Sequence, residues 1–163
     1  MGERMGDART AVERRSEREL VVTRIFDAPV RLVFEAWTRP ELFRLWWAPK
    51  SAGVPILSCE MDVRAGGGYR IAFGHDEASA MSFYGKYLKV EPPVRLVWTN
   101  DEAADAAVTT VTFEDLGGRT RLTLHERYAS RAALDEAFVG MEDTTPEQFR
   151  QLDELLANLP ASA

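Results

Sequence analysis

The sequence predicts an α+β domain: one strand, two short helices, a run of about six strands, then a long C-terminal helix. Three observations predict it. Apolar residues recur with period two over much of 55–128, the spacing of half-buried strands. Pro29 and Pro40 each open a stretch of apolar residues at helical spacing, as prolines in a first helical turn do. Phe149, Leu152, Leu155, Leu156 and Leu159 form an apolar stripe of the kind a helix lays on a core. Consecutive strands with short connections imply an antiparallel sheet with one face to bury. The terminal helix is the only element long enough to cover that face.

Residues 1–18 are polar and mixed in charge, so a disordered or frayed lead is expected there. The domain proper is expected over 19–160. Leu20 to Phe26 is apolar and β-branched, a strand signal. Asp27-Ala28-Pro29 then starts a helix carrying Val30, Val33, Phe34 and Trp37. Thr38-Arg39-Pro40 repeats the signal for a second short helix with Leu42, Phe43, Leu45, Trp46 and Trp47, which Ala48-Pro49-Lys50 breaks.

In the next strand Leu57, Cys59, Met61 and Val63 alternate with Ser58, Glu60, Asp62 and Arg64. Gly66-Gly67-Gly68 turns the chain into Tyr69, Ile71 and Phe73. Met81 to Glu91 is a longer strand with bulk on both faces: Phe83 and Tyr87 on one, Tyr84, Leu88 and Val90 on the other. The pattern leaves its facing open. Pro92-Pro93 leads into a strand with Leu96 and Trp98 on one side. Two more strands, 108–114 and 120–128, are joined by the hairpin signal Asp115-Leu116-Gly117-Gly118. Ser130 caps a short helix over 131–139 that is expected to stop at Gly140. Thr145-Pro146-Glu147-Gln148 combines an N-cap, a first-turn proline and a capping-box glutamine, so the long helix is expected to begin at Pro146. A proline within a helix costs roughly 3 kcal/mol.

Composition excludes several classes. With 20 Lys+Arg against 26 Asp+Glu, the net charge is −6. No basic run stands out, so nucleic acid is not an expected partner. The segment 131–163 holds two bases and seven acids, the pattern of a solvated helix face. One cysteine, Cys59, closes no internal disulfide and builds no cysteine-rich zinc cluster. No stretch approaches the roughly 20 apolar residues of a membrane span, and the charged N-terminus has no apolar signal core. A cytoplasmic location, with no membrane partner, is the expectation.

Several local motifs, in order, resemble the activator of Hsp90 ATPase homolog 1-like family. They are Arg24-Ile25-Phe26-Asp27-Ala28-Pro29, Val33-Phe34-Glu35-Ala36-Trp37-Thr38, Leu45-Trp46-Trp47-Ala48-Pro49-Lys50 and Cys59-Glu60-Met61-Asp62-Val63-Arg64. Further on stand Gly85-Lys86-Tyr87-Leu88, Pro92-Pro93-Val94-Arg95-Leu96-Val97-Trp98-Thr99 and Val111-Thr112-Phe113-Glu114-Asp115. The likeness runs from about 20 to 159. It implies the helix-grip fold of the START/Bet v 1-like superfamily: a curved antiparallel sheet of about six to seven strands wrapped around a long C-terminal helix. Many relatives continue Gly140-Met141 with two acids and Gly-Trp; here Thr144-Thr145-Pro146 follows Glu142-Asp143. That departure alters what the resemblance says about the pocket mouth.

The resemblance also implies a cavity between the sheet and the C-terminal helix. Its expected lining is Trp37, Phe43, Trp47, Met61, Tyr69, Ile71, Phe73, Phe83, Tyr87, Trp98, Phe113, Phe138, Met141, Phe149 and Leu152. An apolar cleft with a few polar groups is the default ligand site; the alternative role of each residue is plain core filling. A small hydrophobic or amphipathic molecule is thus the expected partner. Some superfamily members resemble polyketide cyclases or hydrolases, in which Tyr69, Tyr87 or an inward arginine would polarise a carbonyl. A chaperone partner would instead use the acidic C-terminal helix or the Trp46 region; eukaryotic activators carry a further N-terminal domain that 163 residues do not accommodate. A homodimer is common among such small domains.

No catalytic set, cofactor or metal site is expected. Arg64, Arg70, Glu60 and Asp62 alternate to the outer face, where cross-strand pairing is their simplest role. His75 lies alone in a polar loop, and His125 faces away from Leu122 and Leu124. Cys59 is on the apolar side, an inert thiol. The glycine triplet joins two strands and not a strand and a helix, so it is no phosphate loop. Of Trp46 and Trp47, one is expected to pack inward and the other to lie at the surface, or at a pocket entrance.

Overall fold

The chain runs β1 (Thr10–Arg14), β2 (Glu19–Phe26), α1 (Val30–Thr38), α2 (Pro40–Phe43), β3 (Ile56–Met61), β4 (Gly68–Phe73), β5 (Met81–Glu91), β6 (Arg95–Thr99), β7 (Val108–Asp115), β8 (Thr120–Arg127) and α3 (Arg131–Ala157). This is a computed structural model, whose described residues are 10–101 and 107–159, with 140–143 as backbone only. Short 3-10 turns lie at Lys50–Ala52 and Glu77–Ser79. All strands form one antiparallel sheet in the order β1-β2-β8-β7-β6-β5-β4-β3. From β3 to β8 each strand pairs with the next, as short connections dictate.

The sheet has eight strands where the sequence predicts six to seven. The extra one, β1, falls in the lead expected to be disordered or frayed. Thr10–Arg14 pairs with Arg24–Leu20, and Val12 packs against the core. Only this one side chain needs burying, and the backbone ladder does the rest, so mixed charge conceals the strand. The part of the lead at 1–9 lies outside the described residues.

Two bulges reset the facing of strands. The β3–β4 register shifts between Ile56 and Ser58, so Ile56 packs on the core while Leu57 is 36% exposed. A second shift, between Tyr87 and Lys89, changes the parity of β5. Tyr87 is buried, Leu88 is exposed, and Val90 packs inward again. One extra residue inverts every later side chain, which is why bulk on both faces of β5 gave no facing.

α3 is one helix of 27 residues with Pro146 inside it. The predicted stop at Gly140 and restart at Pro146 are both corrected. Ser130 is its N-cap, accepting from the Ala133 amide; Thr145, expected as a cap, is an interior residue, 4% exposed. The helix continues because its second half is tied to the chain after α2. Gln151 Nε2 donates to the carbonyls of Trp46 (3.0 Å) and Ala48 (2.9 Å), and Gln151 Oε1 accepts from the Lys50 amide (2.9 Å). Ser51 donates from its amide (2.9 Å) and its hydroxyl (2.5 Å) to Glu147. Such bonds, with Phe149, Leu152 and Leu156 buried beside them, offset the amide bond that proline forfeits.

The main core joins Val22 and Phe26 of β2, α1, Trp46, Ile71, Leu96, Val111, Phe113, Leu122, Leu124 and the α3 stripe. Trp37 is its hub. Its ring meets Trp46 edge-on at 4.8 Å and lies 6.3 Å from Phe149. Trp46 is wholly buried and its indole N–H donates to the Ala36 carbonyl at 3.0 Å. A smaller cluster, Leu20, Ala107, Tyr128 and Leu134, closes the first turns of α3 against the sheet.

Candidate ligand pocket

The concave face of the sheet and the α1–α2 segment enclose a cavity of about 180 Å³. α1 contributes Trp37, α2 Phe43 and the following turn Trp47; the sheet contributes Met61, Tyr69, Ile71, Phe83, Tyr87, Trp98, Asn100, Leu124 and Glu126. Strand alternation places each sheet residue: 69 and 71, 98 and 100, 124 and 126 are pairs two apart on one face. Phe83, 40% exposed, marks the rim. Trp47 stacks on Phe43 at 4.7 Å, so of the tryptophan pair Trp46 is core and Trp47 is cavity wall.

Nine of the expected lining residues meet here: Trp37, Phe43, Trp47, Met61, Tyr69, Ile71, Phe83, Tyr87 and Trp98. Five do not. Phe113, Phe149 and Leu152 are buried in the main core. Phe73 packs edge-on against Phe83 at 5.2 Å, outside the cavity, and Phe138 joins the smaller cluster. The Met141 side chain lies outside the described residues. One cause covers both helical groups: α3 packs against α1, β1 and β2, away from β3–β6. The cavity therefore sits under α1 and α2, and among the described residues α3 supplies none of its walls.

Three lining residues were not expected: Asn100, Leu124 and Glu126. Parity carries the signal for all three, since Asn100 follows Leu96 and Trp98, and Glu126 follows Leu122 and Leu124, at steps of two. Asn100 and Glu126 bring a polar end to an otherwise apolar chamber. Tyr69 donates its phenol proton to the Thr99 carbonyl (2.7 Å) and approaches Asn100 Oδ1 (3.3 Å). Asn100 Nδ2 donates to Thr109 Oγ1 (3.0 Å) and to the Ala107 carbonyl (2.8 Å). The Thr109 hydroxyl donates to Glu126 Oε2 (3.1 Å), and Tyr128 donates a short hydrogen bond to Glu126 Oε1.

Burial pushes the Tyr87 phenol well above its ordinary range, with Cys59 a smaller cause. Tyr128 is raised likewise, by burial first and by the adjacent Glu126 charge second. Burial also raises the Cys59 thiol, with Arg44 opposing; a raised thiol is a poor nucleophile. Arg64 and Arg70 are exposed, Arg64 paired with Asp62 (2.9 Å) and Arg70 lying over Tyr84. Glu60 stands opposite Arg70 in register. His125 lies 3.0 Å from Glu19, and His75 is exposed. Among the described residues no group of three or more His, Cys, Asp or Glu is placed to hold a metal ion, and no helix is long and apolar enough to cross a membrane.

The family model for the activator of Hsp90 ATPase homolog 1-like protein matches residues 27–157. The chain belongs to this family. A crystal structure of a Rhodobacter sphaeroides protein is similar to this family member at 26% identity, with a TM-score of 0.84 over 93% of this chain and 99% of that one. A crystal structure of a Nitrosomonas europaea protein, also 26% identical, gives a TM-score of 0.77 over 87% and 96%. A Mycobacterium smegmatis protein at 23% identity shares the fold, with a TM-score of 0.78 over 93% and 98%. No match was found among curated proteins. The α+β architecture expected from the resemblance, an antiparallel sheet with a long C-terminal helix, is the one this family member has.

Proposed function

We propose that this family member binds a small apolar or amphipathic molecule in the cavity beneath α1 and α2. The observation that carries the reading is the lining itself. Three tryptophans and two phenylalanines wall a chamber of about 180 Å³ with a single polar end. Apolar walls with a few convergent polar groups are the usual make-up of a ligand site. The size suits one ring system: a cavity of roughly 150 Å³ already admits benzene. On this reading the protein is cytoplasmic and non-catalytic.

Native mass spectrometry of the freshly purified protein, beside the same sample denatured, tests the reading. A non-covalent adduct lost on denaturation is the expected result. A clean mass that stays clean after incubation with single-ring aromatic probes would overturn it, and chaperone interaction, which the family name suggests, would take its place.

The polar end favours a second reading, in which the pocket acts on its ligand. Glu126 would then serve as an acid–base group beside the bound molecule. A covalent change in a captured ligand after incubation, absent in Glu126→Gln, separates this reading from plain binding.

A further inference from the structure

We propose that the ligand is longer than the chamber: a single-ring compound with an unbranched apolar tail. The ring is enclosed beneath α1 and α2, and the tail lies over Phe83, Phe73 and Met81. The inference rests on the pocket reading above and specifies its ligand class. Strand register supplies the path. Ile71 of β4 stands opposite Phe83 of β5, and Phe73 stands opposite Met81 on one side and Ile56 of β3 on the other. Cross-strand partners share a face, and so do residues two apart on one strand. Ile71 and Phe83 border the cavity. Ile56, Phe73 and Met81 are therefore the next row of the same concave face, roughly 7 Å further along the sheet.

This row is apolar and open. Ile71 is 3% exposed, Phe83 40% and Met81 70%. Phe73 is half-buried and meets Phe83 edge-on at 5.2 Å. Burial thus falls away in one direction, from the chamber past Phe83 to Met81. Beyond the row lie His75, Asp76 and Glu77, all exposed. An apolar surface rimmed by polar residues and continuous with a cavity is the make-up of a binding groove.

The chamber itself is short. About 180 Å³ holds one ring with a small substituent, since roughly 150 Å³ already admits benzene. A longer molecule leaves it past Phe83, because among the described lining residues Phe83 alone is exposed. The first surface met outside is then Phe73 and Met81, on which an apolar tail sheds water. A second copy of the chain is the other natural cover for an apolar row. Two exposed side chains fall far short of the about 800 Å² that each partner gives a standard interface, and continuity with the cavity favours the ligand.

Isothermal titration of the full chain with 4-methyl-, 4-propyl-, 4-pentyl- and 4-heptylphenol tests the proposal. Affinity is expected to keep rising beyond propyl, by about twofold per methylene. Full burial gives roughly fourfold, and the row covers one side of the tail only. Met81→Ser changes an exposed position, where substitution costs little stability, and the heptyl-to-methyl affinity ratio is expected to fall about threefold or more. Leu88→Ser removes another exposed side chain of β5, 49% exposed and outside the row, and is expected to leave that ratio unchanged. Affinity that peaks at propyl, a ratio undiminished in Met81→Ser, or an equal fall in Leu88→Ser would overturn the tail assignment and leave the pocket reading standing. No binding of any of the four phenols would overturn both. Sedimentation showing a dimer that Met81→Ser disperses would give the row to a second copy of the chain and overturn the proposal.

Discussion

Arg24 of β2 and Asp153 of α3 form an ion pair across the core, Nη2 to Oδ2 at 2.8 Å, with the arginine side chain 1% exposed and the aspartate 26%. Arg24 shares the buried face of the strand with Val22 and Phe26, at steps of two. Its Nη1 donates to Thr10 Oγ1 at 2.6 Å, and its guanidinium lies 5.3 Å from the Phe26 ring centre. One side chain thus ties β1, β2 and α3 together. Removing one partner of such a pair strands a buried charge, which typically costs about 3–5 kcal/mol. Asp153→Ala is expected near the low end, about 3 kcal/mol, because its oxygen is partly solvated. Replacing both, as Arg24→Met with Asp153→Leu, is expected to cost less than Asp153→Ala alone. Urea unfolding of the single and double variants measures this; additive losses would show that the pair is not coupled.

Gly85 sits where β5 crosses close to the end of β6. A Cβ there would lie 2.0 Å from the Thr99 carbonyl oxygen and 3.0 Å from its Oγ1. Those are the atoms that accept from the Tyr69 phenol and the Lys86 amide. Gly85→Ala is expected to destabilise by about 1–3 kcal/mol through overpacking. It should also weaken probe binding, since Tyr69 and Asn100 are displaced with Thr99. Thermal unfolding and a probe titration on the same sample check both effects.

Much of this was legible in the sequence, and what was hidden has physical causes. An apolar, β-branched run located β2, and alternation located β4 and β6 to β8, because one buried face imposes period two. It failed at residues 57 and 88, where a bulge adds a residue that no pattern announces. Nine of the residues that the resemblance implied border one cavity, seven of them aromatic, with Met61 and Ile71. Phe149 and Leu152 were misplaced because a stripe tells that α3 is buried, not against which strands. Glu126 was overlooked although Leu122 and Leu124 set its parity, since an acid on an inward face contradicts the burial expectation that parity was used to serve. Arg24 was overlooked for the same reason.

Pro146 lies inside α3 rather than at its start. In a continuous helix the proline removes one backbone bond and crowds the preceding turn. Pro146→Ala is therefore expected to stabilise the protein, by about 1–3 kcal/mol. Were the helix to begin at this residue, the proline would sit at a favoured first-turn position and alanine would bring no gain. The urea midpoint distinguishes the two, and a neutral or negative shift would count against the continuous helix.

The link between Glu147 and Ser51 carries a pH signature. Hydrogen bonds from the Ser51 hydroxyl, and then from its amide, hold the Glu147 carboxyl below its ordinary value of 4.5. Glu19 is lowered in the same way by His125 and Ser16. A carboxyl depressed by folding contributes stability that is complete above its unfolded value and lost as pH falls through its folded one. Melting temperature is expected to hold steady at pH values above about 5 and to decline as the solution is acidified further. Glu147→Gln should flatten part of that decline. A variant with the same acid-side slope as the parent would rule out this contribution.

Gln151 controls the position of the cavity wall from outside the cavity. Its amide group satisfies three backbone groups of the turn after α2, at Trp46, Ala48 and Lys50. Gln148 adds a fourth bond, Nε2 to the Trp47 carbonyl at 2.5 Å. The turn so fixed is the one that carries Trp47 over the chamber. Gln151→Ala leaves the Trp46 carbonyl without its donor in the interior, where an unsatisfied group costs about 1–3 kcal/mol; water reaches the Lys50 side more readily. A total loss of about 2–3 kcal/mol is expected. Gln151→Glu is expected to be worse than alanine, because a carboxylate accepts from the Lys50 amide but sets a negative charge against two carbonyl oxygens. Both variants should raise amide exchange over residues 46–50 and weaken probe binding more than overall instability explains. Hydrogen exchange alongside titration reads both quantities. Exchange unchanged over 46–50 would show that the turn holds its place without the glutamine.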